Sequence, residues 1–184
     1  SAVIDNRFIN KIGKGTMDFK ELINIIEKLR AETGCPWDKE QTRESLKPFI
    51  LEEAYELLEA IDEGDPGKIK EELGDLLFQI VFQSQIAKEK KEFEISEVIE
   101  KICKKMIIRH PHVFGKADYK TKGEVLEYWE EQKRREGKQQ TSIFEGIPET
   151  LPSLLRAQRL QDRAARVGFD WVKVEDVFKK LDEE

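Results

Sequence analysis

Residues 45–81, SLKPFILEEAYELLEAIDEGDPGKIKEELGDLLFQIV, hold two apolar runs at helical spacing, separated by Gly64-Asp65-Pro66-Gly67. In the first run Leu46, Ile50, Leu57 and Ile61 share one side of a helix predicted over 45–63, with Pro48 tolerated in its first turn. In the second, Ile69, Leu73, Leu76, Leu77, Ile80 and Val81 mark the inward side of a helix over 68–91. So short a connection makes the two helices antiparallel neighbours. Acids interrupt both stripes. Glu53 follows Ile50 by three residues and precedes Leu57 by four; Glu56 stands one turn on, and Glu52 shares that side. Glu72 lies between Ile69 and Leu76 in the same way, with Asp75 three residues later.

Four like charges gathered in a partly desolvated hairpin repel one another, and an unpaired buried ion costs several kcal/mol. Something positive must therefore fill the space between Glu53, Glu56, Glu72 and Asp75. The candidate ligands are all carboxylates, which selects a hard cation, Mg²⁺ or Mn²⁺, over zinc. A di-iron carboxylate bundle is disfavoured because it needs histidines within the helices, and His110 and His112 both lie later. Gly74, costly in a helix interior, is read as a point where another group approaches closely. Glu59, Asp62, Glu63 and Glu71 are read as solvated acids.

Outward from the hairpin, the 184 residues include 32 basic and 38 acidic side chains, 39% hydrophobic residues, six prolines and eleven glycines. That balance excludes a chain of many modules and points to an all-α helical fold. No stretch has the roughly 18 uninterrupted apolar residues of a membrane helix, and a cytoplasmic setting is expected. Cys35 and Cys103 are too few for a disulfide framework and lack metal-binding spacing. Charge is segregated: residues 52–75 hold ten acids against two lysines, net −8, and residues 101–122 hold seven bases against one acid, net +6. The overall −6 and the acidic neighbour argue against nucleic acid as the partner of the basic stretch.

Residues 1–16 lack periodicity and read as a leader ahead of a native start at Met17. Asp18 with Glu21 predicts the cap of a helix reaching Arg30, and residues 32–42 read as a loop plugged by Trp37. Ser96 is read as the cap of a helix ending at Arg109-His110-Pro111, and Thr121 with Glu124 as the cap of another ending near residue 136. Residues 138–152 read as a linker, and residues 153–184 as the start of a second, truncated module, because Asp170-Trp171 echoes Trp37-Asp38.

Lys105 and Arg109 stand at i,i+4, a pair suited to clamping a polyanion. Trp129 and Lys133 repeat the spacing and offer a flat ring beside an ammonium group, although such a tryptophan also suits a core. His110 and His112 suit capping or hydrogen bonding better than ligation. Acids for a metal, cations and an aromatic ring together suit a nucleotide polyphosphate, and no P-loop or dinucleotide glycine pattern is present.

Glu52-Glu53-Ala54-Tyr55-Glu56 followed by Glu72-Leu73-Gly74-Asp75 resembles the EExxE and ExxD signature of the MazG family of nucleoside triphosphate pyrophosphohydrolases, within the all-α NTP pyrophosphatase superfamily. Cys35-Pro36-Trp37-Asp38, Arg109-His110-Pro111-His112-Val113-Phe114 and Trp129-Glu130-Glu131-Gln132-Lys133 are similar to that family too, so the resemblance covers residues 17–137. It implies a helical homodimer that hydrolyses NTP or dNTP with Mg²⁺ to monophosphate and pyrophosphate, by attack of a metal-activated water at the α-phosphorus. By position, Glu53, Glu56, Glu72 and Asp75 bind metal and Lys105, Arg109, Trp129 and Lys133 bind the nucleotide, while Glu52 either positions a water or stands behind the ligands. The rival reading is a catalytically weak or inactive helical dimerisation or nucleotide-sensing module, whose acids face solvent.

Overall fold

The computed structural model describes residues 17–135, 142–171 and 173–183; for Glu130, Lys133 to Arg135 and Leu181 it describes the backbone alone. Among these residues every regular element is helical: α1 (Phe19–Arg30), α2 (Pro36–Glu40), α3 (Lys47–Glu63), α4 (Pro66–Glu89), α5 (Ile95–Arg109), α6 (Pro111–Phe114), α7 (Lys122–Arg135), α8 (Ser153–Ala165) and α9 (Val174–Glu183). None is long and apolar enough to cross a membrane. The chain divides into two compact units, residues 1–106 and 107–184.

In the first unit, Asp18 caps α1 by accepting a hydrogen bond from the Glu21 N–H at 3.0 Å. α1 packs on α2 and α4, and α3 packs along α4. Ile26, Leu46, Val81, Phe82 and Ile86 form the core, with Leu22, Ile23, Phe49, Phe78 and Ile95 packed around it. Arg30 locks one side of this core. Its guanidinium forks onto both oxygens of Glu89 at 2.8 and 2.7 Å, donates to the carbonyls of Asp38 and Gln41, and lies 5.2 Å from the centre of the Phe82 ring. Gly34 has no room for a side chain, because a Cβ there would stand 2.2 Å from the Leu29 carbonyl oxygen.

Several boundaries differ from the sequence reading. Residues 36–40 form a short helix with Pro36 in its first turn, where the missing N–H is not needed. α3 ends at Gly64, whose φ of 70° places its N–H 3.1 Å from both the Ala60 and Ile61 carbonyls. Asp65-Pro66 then begins α4, Asp65 accepting from the Gly67 N–H at 2.8 Å. α5 starts one residue before Ser96, and its first turn is closed by Glu97 accepting from the Glu94 N–H. The apolar side chains at Ile61, Leu73, Leu77 and Ile80, expected inward, are exposed in the single chain, and the α4 side chains buried in the core are those of Val81, Phe82 and Ile86.

In the second unit, which begins within α5, Thr121 caps α7 as expected, accepting from the Glu124 N–H at 3.3 Å. A run of rings, Trp129, His110, His112, Tyr119 and Tyr128, packs with centroids 5.2 to 5.7 Å apart. Of the residues read as a linker, 138–141 lie outside the described residues; Ile143 and Glu145 are tied to α8 through their carbonyls by Arg163. The residues read as a leader also lie outside the described residues.

Candidate metal centre

Seven residues fall within about 20° of two full helical turns, and this spacing organises the hairpin. Along α3, Leu46, Glu53 and Ala60 share one stripe, and Leu46 and Ala60 are buried. Along α4, Glu72, Gln79 and Ile86 share another, and Gln79 and Ile86 are buried. The buried stripes of both helices thus continue into a carboxylate on the hairpin. Glu53 and Glu72 are half-buried, Glu56 is exposed, and one oxygen from each lies within 4.8 Å of the others. Asp75 is exposed and is not part of that trio, although its charge acts on both Glu53 and Glu72.

The electrostatics follow from this crowding. Partial burial pushes the Glu53 carboxyl above the usual range, and the charges of Asp75, Glu56, Glu72 and Glu52 push it further the same way. Glu72 is raised by partial burial and then by Glu56 and Asp75, against a small opposing effect of Lys68. Lys68 itself is paired with Glu63 at 2.5 Å. Three convergent carboxylates are a donor set suited to a hard divalent cation, the case in which repulsion becomes attraction.

The other sequence-predicted residues fall as follows. Glu52 is exposed beside the trio, its charge the weakest of those acting on Glu53. Lys105 is half-buried on α5, in the first unit. In the second unit Arg109 and Trp129 are brought together: the indole Nε1 donates to the Arg109 carbonyl at 2.8 Å, and the His110 ring meets the indole edge-on. Lys133 lies on α7, with its side chain outside the described residues. His110 occupies the cap position of α6 without a capping bond from its side chain; both histidines are used as packed rings. A Cβ built at Gly74 meets nothing within 4 Å in the single chain. Sequence reasoning passed over Gln79, whose signal was its place seven residues after Glu72.

Residues 41–114 match the MazG nucleotide pyrophosphohydrolase domain family, a span containing the hairpin acids, Lys105 and Arg109. Over 167 residues the chain is 48% identical to a protein of Thermotoga maritima named nucleoside triphosphate pyrophosphohydrolase/pyrophosphatase MazG, covering 90% of this chain and 64% of that one. Over 166 residues it is 46% identical to the nucleoside triphosphate pyrophosphohydrolase of Escherichia coli K12, covering 89% and 63%. The chain therefore spans a little under two thirds of the length of these relatives. Among solved structures, that of a mazG-related protein from Thermotoga maritima matches with a TM-score of 0.54 and 28% identity, over 62% of this chain and 98% of that one.

Proposed function

We propose that this chain, whose residues 41–114 match the MazG nucleotide pyrophosphohydrolase domain family, hydrolyses nucleoside triphosphates to the monophosphate and pyrophosphate, water attacking at the α-phosphorus. The observation that carries this reading is the convergence of carboxylate oxygens from half-buried Glu53 and Glu72 and exposed Glu56 within 4.8 Å. These three hold Mg²⁺ or Mn²⁺, with Asp75 on the next turn as the fourth acid. A bound divalent ion supplies Lewis acidity and lowers the pKa of its water. The chain's own residues hold and orient: the trio fixes the cation, Glu52 positions a water beside it, and Lys105 offers a cation to phosphate oxygens. In the second unit the edge of the Trp129 indole is fixed by its bond to the Arg109 carbonyl.

The test is to incubate the protein with each common NTP and dNTP and Mg²⁺ and to separate the products. Monophosphate plus pyrophosphate is expected. Unchanged nucleotide, or diphosphate plus phosphate, overturns the reading and favours the noncatalytic module.

We also take the chain to be a homodimer. Leu51, Tyr55 and Leu58 on α3 and Leu73, Leu77 and Ile80 on α4 are 38 to 56% exposed, a concentration of large apolar side chains on one hairpin that suits burial against a second copy. Leu73→Glu together with Leu77→Glu is expected to halve the mass measured by light scattering after size exclusion. A wild-type monomer, or a double variant of unchanged mass, rejects this assembly.

A further inference from the structure

Gln79 is the other polar residue on the stripe that carries Glu72, and it is far more enclosed. It is 6% exposed, and its side-chain carbonyl Oε1 is buried and accepts no hydrogen bond among the described residues. A buried carbonyl without a donor is destabilising, a penalty that an apolar side chain of similar volume avoids. Phe82 and Ile86 continue the helix on its dry side, and Asp75 and Glu72 on its other side. Helical side chains lean towards the N-terminus of their helix. Gln79 therefore leans towards the turns carrying Asp75 and Glu72, while Glu53, on the antiparallel partner, leans back towards the level of Gln79. One water making two hydrogen bonds of about 2.8 Å spans at most about 5.6 Å, so it reaches a carboxylate near the level of Gln79, that of Glu53, and not Glu72, roughly 10 Å away along the helix. An ionised carboxylate cannot donate to Oε1, whereas water can.

We infer that Gln79 is a positioning residue of the acidic site: its carbonyl oxygen accepts a hydrogen bond from a water that joins it to the Glu53 carboxylate when the acids hold a divalent cation. This rests on the reading of those acids as a metal site. Such outer partners orient ligands, and their loss weakens metal binding about 10- to 100-fold.

The test uses Gln79→Leu and Gln79→Met with Mn²⁺ alone as the probe, by titration calorimetry at neutral pH, alongside melting in EDTA. The expected result is Mn²⁺ affinity lowered about ten-fold in both variants, with a metal-free melting temperature equal to or above that of the wild type. Wild-type Mn²⁺ affinity in either variant overturns the inference and leaves the acidic site standing. If neither variant folds, Gln79 is a core residue and the inference falls. A wild-type chain that binds no Mn²⁺ overturns the metal-site reading and this inference with it.

Discussion

Glu53→Gln and Glu72→Gln are each expected to lower pyrophosphate release about a thousand-fold, the equivalent of about 4 kcal/mol of transition-state stabilisation, while the helical circular dichroism stays unchanged. Glutamine keeps the shape but removes the charge that holds the cation. In EDTA the same variants are expected to melt above the wild type at neutral pH. Both carboxyls titrate higher in the folded chain than the ordinary Glu value of about 4.3, through partial burial first and neighbouring acids second. The folded state thus binds their protons more tightly than the unfolded state. The stability this confers is complete below the ordinary value and is lost as pH rises through the raised folded values. Glutamine escapes that loss, so the gain in melting temperature is present at pH 7 and fades towards pH 4. Turnover retained in both variants rules out the metal assignment; a lower melting temperature in EDTA rules out the electrostatic account.

The second large effect is on stability. Arg30→Met is expected to cost about 2–3 kcal/mol, less than the 3–5 kcal/mol of a fully buried pair because Glu89 is 37% exposed. Arg30 itself is 7% exposed, and its loss leaves the Asp38 and Gln41 carbonyls and the Glu89 carboxylate without their shared donor. The bond from Arg30 holds the Glu89 carboxyl below its ordinary range, with a smaller contribution from Gln85. A lowered carboxyl contributes stability that is present above its unfolded pKa and lost as pH falls through the folded value. The wild type should therefore lose stability on acidification below about pH 4 more steeply than Arg30→Met, as followed by urea denaturation at several pH values. Equal stability of the two proteins at pH 7 removes Arg30 from this role.

The hairpin was legible because it is local: the apolar period of 3.6, the short break at residues 64–67 and the phase of Glu53 and Glu72 all lie within some forty residues of sequence. Periodicity tells which side of a helix is apolar but not what covers it. Leu73, Leu77 and Ile80 share the apolar period of α4 yet are exposed in the single chain. The sequence pattern sets Gly64-Asp65-Pro66-Gly67 between the helices, whereas Asp65-Pro66 starts the second of them, an aspartate cap followed by a proline whose absent N–H is not missed. The Arg30–Glu89 pair spans 59 residues, and no local pattern announces it. At the site, the sequence grouped four acids by phase, whereas the structure draws Glu53, Glu56 and Glu72 into one 4.8 Å trio and leaves Asp75 acting on them through its charge.

The spacing Leu46, Glu53, Ala60 also limits how this helix can change length. One residue inserted after Phe49 turns everything downstream by about 100°, which swings Glu53 off the stripe and brings Glu52 into its place while leaving composition and helix propensity almost untouched. Insertions and deletions in this stretch are therefore tolerated only in steps that close on nearly whole turns, such as seven, eleven or eighteen residues, and a homologue with another length difference there must have rebuilt its acids at new positions.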